Sequence, residues 1–62
     1  MLKEYIKAKG VKQKWIADKI GVSEVTLSNW VKMKTTPSDE NMEKLSKVLD
    51  LDISDIAKIY GR

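Results

Sequence analysis

The sequence predicts an all-α fold in which five short helices surround one core. Apolar residues recur at helical spacings along the chain, and no segment alternates apolar and polar residues as a strand would. Glycine, serine or aspartate stands at most of the expected helix boundaries. We expect the 62 residues to form one domain over 1–62. A chain of this length buries only about 60 % of its unfolded surface, so stability should be modest.

The first two helices are predicted from apolar residues that a glycine follows. The first helix carries Leu2, Tyr5 and Ile6 and ends at Gly10. The second carries Ile16, Ala17 and Ile20 on one side and ends at Gly21. A glycine at this position adopts a left-handed conformation without a Cβ clash, so the chain reverses sharply.

The third helix is predicted to begin after Ser23, whose hydroxyl can accept from an unpaired backbone N–H. Val22 and Leu27 stand at the positions of a hydrophobic staple. The inward side of this helix is formed by Leu27, Trp30 and Val31. Because two helices that cross closely need a small side chain between them, Ala17 is expected at the crossing.

Two further helices follow a loop of Lys34, Thr35 and Thr36, which Pro37 ends. Ser38 opens the fourth helix, whose inward residues are Met42, Leu45, Val48 and Leu49. Asp52 can cap a fifth helix, with Ile53, Ile56, Ala57 and Tyr60 on one side and Ile59 off that side.

Residues 13–32 resemble the helix-turn-helix of the Cro and phage-repressor type, a family of DNA-binding regulators also called xenobiotic-response-element-like. The positions that match its pattern in register are Gln13, Ala17, Gly21, Val22, Ser23, Thr26, Leu27, Ser28 and Trp30. Pro37 and Ser38 fall where the family usually opens its fourth helix, and the later leucines keep its spacing. The resemblance implies a lambda-repressor-like five-helix fold over nearly the whole chain.

Two departures from the family pattern are present. Ile6 and Val31 stand where many members carry an Arg and Glu pair, which replaces a buried ion pair by an apolar contact at little cost. Lys32 and Met33 replace the usual Asn-Gly after the third helix, so the turn there lacks its glycine.

Composition argues against several classes of protein. Without cysteine there is no disulfide or thiolate site, and without histidine the commonest metal ligand and general base is missing. We therefore expect no enzyme, no metal and no cofactor, and a reduced, cytoplasmic setting. The longest apolar run, residues 15–17, is too short for a membrane span and excludes one.

The net charge of +3 is unevenly divided: residues 1–36 carry +5 and residues 37–62 carry −2. This bias suits binding to phosphate, although lysine-rich helices are often only solvated faces.

The outward side of the third helix is expected to contact bases, as the resemblance also implies. Asn29 can pair with adenine, Glu24 can accept from the cytosine amino group, Val25 can pack on a thymine methyl, and Ser28 can donate or accept. For Glu24, a stabilising position near the positive helix end is an equal alternative. Ser28 and Asn29 could also be ordinary solvated residues.

Phosphate contacts are expected at the edges of the same unit. Gln13 begins the second helix, where free backbone N–H groups and the helix dipole attract an anion. Around it we expect Lys12, Lys14, Lys32, Lys34, Thr35 and Thr36 to contact phosphate. Such contacts fix the register of the protein on DNA without reading its sequence.

Two apolar features are not explained by the expected contacts with bases and phosphates. Trp15 falls off the inward side of its helix, so it either lies flat over a neighbouring helix or stacks on a sugar-phosphate edge or a partner. Ile56, Ile59 and Tyr60 form a candidate dimer or partner contact if they make an exposed strip. The alternative is that the fifth helix merely closes the core.

These patterns favour a sequence-specific regulator that binds double-stranded DNA and occupies an operator, in a bacterium or phage. We expect at most a weak homodimer, completed on DNA. The rival interpretation gives the same fold a protein partner, as in an antitoxin-like or anti-repressor module.

Overall fold

The computed structural model describes residues 1–61, which form five α-helices and no strand. The helices are α1 (Leu2–Lys9), α2 (Gln13–Ile20), α3 (Glu24–Val31), α4 (Asp39–Leu49) and α5 (Ile53–Ile59). Arg62, the last position of the expected 1–62 domain, lies outside the described residues. The predicted all-α, lambda-repressor-like class is confirmed.

Left-handed glycines and serine caps mark several of the helix boundaries, as the sequence predicts. Gly10 and Gly21 both adopt left-handed conformations, with φ of 76° and 79°. The Ser23 hydroxyl accepts from the Thr26 backbone N–H at 3.1 Å, and the Ser38 hydroxyl accepts from the Asn41 N–H at 3.2 Å. Asp52 occupies the N-cap position of α5, but its side chain makes no capping hydrogen bond.

One core joins all five helices. Its buried apolar residues are Leu2, Ile6, Ile16, Ala17, Ile20, Leu27, Trp30, Met42, Leu45, Leu49 and Ile56. Ala17 is 1 % exposed and lies in α2, which packs against both α3 and α4. Ile6 lies in this core and Val31 packs against it, as apolar residues at these two positions should. Pro37, expected only to end the loop, is fully buried.

The outermost helices differ from their predicted apolar sides. Tyr5 is 37 % exposed, so α1 contributes mainly Leu2 and Ile6 to the core. In α5, Ile53 is 47 % exposed whereas Ile59 packs against the core, which reverses their expected places. A helix of seven residues makes about two turns, so neighbouring stripes fit its sequence almost equally well and packing decides between them.

The turn after α3, residues 32–35, is here called the exit turn. Met33 holds φ at 63°, the left-handed conformation for which the family usually supplies glycine. Backbone hydrogen bonds close this turn: Met33 N–H donates to the Trp30 carbonyl at 3.1 Å, and Lys34 N–H donates to the Asn29 carbonyl at 2.9 Å. The chain therefore reverses here without glycine, at the cost of an unfavourable backbone conformation.

Side-chain bonds fasten the C-terminal part of the fold to its N-terminal part. The Tyr60 hydroxyl donates to the Trp30 carbonyl at 2.8 Å, and burial raises the pKa of Tyr60 to about 12. The Lys9 ammonium lies 3.1 Å from a carboxylate oxygen of Asp50, a residue with φ of 55°. The bond from Tyr60 joins positions 30 residues apart, and no spacing in the sequence indicates it.

Candidate nucleic-acid interface

One side of α3 faces outward, and the opposite side is buried. Leu27 and Trp30 are 0 % and 4 % exposed and fix the rotation of the helix. On the opposite side, Val25 is 70 % exposed and Glu24 is also exposed. Ser28 and Asn29 are half-buried. The structure thus places all four residues that are expected to contact bases on one short helix, away from its buried side.

The polar groups of this outer side have unused hydrogen-bonding capacity. Within residues 1–61, no intramolecular hydrogen bond engages the side chains of Ser28 or Asn29. Thr26 differs, because its hydroxyl accepts from the Ser23 hydroxyl at 2.9 Å as part of the helix cap. A base edge could therefore pair with Ser28 and Asn29 without breaking a bond inside the protein.

Glu24 is the first residue of α3 and the only acidic residue in its first turn. Its carboxylate therefore lies near the positive end of the helix dipole, which stabilises the negative charge. The same position projects into solvent, so the carboxylate is also accessible to a cytosine amino group. At this one location Glu24 can both stabilise the helix end and accept from cytosine.

The N-terminus of α2 is open to an anion. Lys12 occupies the N-cap position without a side-chain capping bond, and the first turn contains no acidic residue. The first backbone bond of the helix runs from Ile16 N–H to the Lys12 carbonyl at 3.3 Å. The N–H groups that precede it are those that a phosphate oxygen can accept from. Gln13, half-buried at the start of this turn, lies beside them.

The lysines expected at phosphate are not engaged in ion pairs within the described residues. Salt bridges there use other lysines: Lys9 with Asp50, Lys44 with Glu40, and Lys47 with Glu43. The residues of the expected phosphate set that are exposed are Lys12, Lys14, Lys32, Lys34, Thr35 and Thr36. The negative charge of α4 is therefore partly balanced within that helix, and the positive charge around α2 and the exit turn stays available to a polyanion.

Trp15 departs from the expectation that it lies flat over a neighbouring helix. The residue is 43 % exposed and is not one of the buried residues that form the core. Its ring lies under the ammonium of Lys19 on the same helix, 5.3 Å from the ring centroid, in a cation–π contact. An open depression of about 390 Å³ adjoins it, lined by Val11, Lys12, Lys14, Trp15 and Asp18. The lysine four positions after the tryptophan was the signal for this contact.

The expected exposed strip on α5 is absent, which corrects that interpretation. Ile56 is 0 % exposed, and Ile59 and Tyr60 are half-buried against the core. Ile56, Ile59 and Tyr60 all lie in or against the core, so the alternative, in which the fifth helix closes the core, describes the structure. Ile53, at the opposite end of the helix, is the large apolar residue that remains exposed there.

Residues 1–61 contain no cluster of three or more histidine, cysteine or acidic side chains placed to hold a metal ion. None of the helices described has the length and hydropathy needed to cross a bilayer.

Comparison with known families agrees with this geometry. The sequence profile of a helix-turn-helix family of the Cro and phage-repressor type matches residues 2–56, which include α1 to α4 and the start of α5. Searches of curated proteins and of solved structures gave no match. The family is one of DNA-binding regulators, and its profile covers most of the chain. This protein therefore belongs to the helix-turn-helix family of the Cro and phage-repressor type.

Proposed function

We propose that this protein is a sequence-specific transcriptional regulator, of phage or bacterial origin, that acts in the cytoplasm by occupying an operator in double-stranded DNA. The observation that carries the proposal is the exposed outer side of α3. There Val25 is 70 % exposed, and the polar groups of Ser28 and Asn29 are unpaired within the described residues.

In this proposal the outer side of α3, from Glu24 to Asn29, enters the major groove. The Asn29 amide forms a bidentate pair with adenine, and Val25 packs on the methyl group of thymine. Ser28 donates or accepts at a base edge, and Glu24 accepts from cytosine. Glu24 would oppose binding where no cytosine lies opposite it, because its carboxylate then faces phosphates unpaired. This gives Glu24 a role in rejecting wrong sequences.

Phosphate contacts fix the orientation of the helix in the groove. The uncapped N-terminus of α2 and the Gln13 amide bind one phosphate, which supports the register of α3. The exposed lysines and threonines contact the backbone on either side: Lys12, Lys14, Lys32, Lys34, Thr35 and Thr36. These contacts contribute affinity that falls as salt concentration rises.

We further propose that the protein forms a weak homodimer on DNA. Two copies would place their α3 helices in successive major grooves about 34 Å apart, on a nearly palindromic site. The contact cannot use the side chain of Ile56, since that residue is buried in the core. The oligomeric state on and off DNA is measured by ultracentrifugation with and without the selected site.

Selection from a random duplex library, followed by fluorescence anisotropy at several salt concentrations, tests the proposal. We expect one enriched motif and a linear decrease of log affinity with log salt concentration. The absence of any enriched motif, together with a flat salt response, would contradict it. Capture of one stoichiometric protein partner, unaffected by Asn29→Ala and Gln13→Ala, would instead favour a protein-binding module.

A further inference from the structure

Tyr60 makes a hydrogen bond to the end of α3. Tyr60 itself lies outside the residues that the family profile matches. Its hydroxyl donates to the Trp30 carbonyl at 2.8 Å, and the profile ends four positions earlier, at Ile56. Trp30 is the last but one residue of α3, where backbone carbonyls lack partners within the helix. The same oxygen also accepts from Met33 N–H at 3.1 Å. One carbonyl thus links α3, the exit turn and the C-terminal end of α5.

The exit turn needs such support because its central residue is unfavourable there. Met33 holds φ at 63°, a conformation that a side chain with a Cβ rarely adopts. Bonds to three carbonyls of α3 hold the turn. Lys32 N–H donates to the Ser28 carbonyl at 2.9 Å, Met33 N–H donates to that of Trp30, and Lys34 N–H donates to that of Asn29 at 2.9 Å. A shift of the Trp30 carbonyl would release Met33 toward its preferred conformations. The residues that follow it would then move.

We propose that Tyr60 is a positioning residue for DNA binding, which holds the exit turn so that Lys34 and Thr35 meet the phosphate backbone. The inference rests on the proposed function of α3 and its flanking lysines. Tyr60 itself does not contact DNA; it acts through the Trp30 carbonyl. The chain carries the helix-turn-helix family fold without the family's usual glycine after α3, and Tyr60 supplies part of what holds that turn in place.

The state of the Tyr60 hydroxyl agrees with this role. The phenol is half-buried against the core, and burial raises its pKa to about 12. The hydroxyl is protonated at neutral pH, as any phenol is, and burial extends the range in which it remains a donor to about pH 12. Tyr5, the other tyrosine, is 37 % exposed and its hydroxyl makes no hydrogen bond within residues 1–61. It offers a matched control.

The first test compares Tyr60→Phe and Tyr5→Phe in the full chain, by anisotropy on the DNA motif selected by the wild type. Circular dichroism sets a temperature at which all variants are fully folded. Loss of one hydrogen bond should weaken DNA binding by Tyr60→Phe roughly two- to tenfold. Tyr5→Phe should bind as the wild type does. Equal affinity of Tyr60→Phe and wild type would overturn the inference.

A double-mutant cycle separates positioning from general loss of stability. Lys34→Ala removes a group that Tyr60 is proposed to place, whereas Gln13→Ala removes a phosphate contact at the far edge of the unit. The effect of Tyr60→Phe should shrink in the Lys34→Ala background and persist in full in the Gln13→Ala background. Equal effects in both backgrounds would contradict positioning. If the wild type selects no motif, the proposed function fails and this inference falls with it; a selected motif with no Tyr60 effect overturns the inference alone.

Discussion

The Gly21 N–H donates to the Ala17 carbonyl at 2.9 Å, and this bond closes the elbow between α2 and α3. The Val22 N–H donates to the same oxygen at 3.0 Å. Two successive backbone groups therefore hold the chain against one turn of α2 before Ser23 begins the next helix. The direction in which α3 leaves, and hence the side it turns outward, depends on this short segment.

Gly21→Ala should lower the free energy of unfolding by about 1–2 kcal/mol, which is the cost of a left-handed conformation for a residue with a Cβ. A Cβ at this position would meet no atom within 4 Å, so no steric clash adds to that cost. Gly10→Ala is the matched control, because Gly10 has φ of 76° and equally open surroundings. Urea denaturation of both variants measures the loss. A much larger loss for Gly21→Ala would show that the elbow has further constraints.

Ala17→Leu should destabilise the fold by about 1–3 kcal/mol, because three added carbons have no space in a well-packed core. Ala17 is 1 % exposed in the helix that packs against α3 and α4. Ala8→Leu, on the exposed side of α1, is the control and should change stability by less than about 0.5 kcal/mol. A folded Ala17→Leu variant with wild-type stability and DNA affinity would show that no close helix crossing exists at this residue.

The elbow was predictable because its determinants are local. Gly21, Ser23 and Ala17 act through backbone conformation, capping and size, and each effect is encoded within a few positions. Long-range features were not predictable in this way. The bond from Tyr60 to Trp30 joins distant segments, and the rotation of α5, which exposes Ile53 and packs Ile59 inward, is decided by tertiary packing.

The candidate site also combines features that could be predicted from the sequence with features that could not. Exposure of Val25 follows from the inward spacing of Leu27 and Trp30, so the outer side of α3 could be predicted from its inner side. The conformation of Met33 could not, because the sequence offers no glycine and leaves the turn type open. Trp15 was placed off the core correctly, but its partner is Lys19 of the same helix rather than a neighbouring helix.

Met33→Gly should raise the free energy of unfolding by about 1 kcal/mol, because glycine adopts a positive φ without a Cβ penalty. The methionine side chain is 42 % exposed, so little packing is lost. Asp50→Gly provides the comparison at φ of 55° and should gain less, since aspartate tolerates this conformation and Asp50 pairs with Lys9. Thermal and urea denaturation measure both changes. A loss of stability in Met33→Gly would mean that the side chain contributes more than its exposure indicates.

Stability should fall between pH 10 and pH 12 through Tyr60. Its pKa is raised from 10.0 to about 12 by burial, so the folded state retains a proton that the unfolded state releases. The stabilisation is complete below pH 10 and is lost as pH rises through about 12. The measurement is the difference between wild type and Tyr60→Phe, which isolates the contribution of this phenol. Wild type should lose stability more steeply than Tyr60→Phe, with Tyr5→Phe following the wild type; parallel curves for all three would refute the assignment.

Asn29→Ala tests the central claim most directly, because it removes one amide without an intramolecular hydrogen bond among the described residues from the outer side of α3 and leaves the core residues unchanged. The preferences of wild type and variant are compared at every position of the selected site, at one salt concentration. The account predicts unchanged stability and a loss of discrimination of about 1–3 kcal/mol at a single base pair, with the remaining positions unaffected. An identical sequence profile for the two proteins, or a uniform loss across all sequences, would show that α3 does not recognise bases through Asn29.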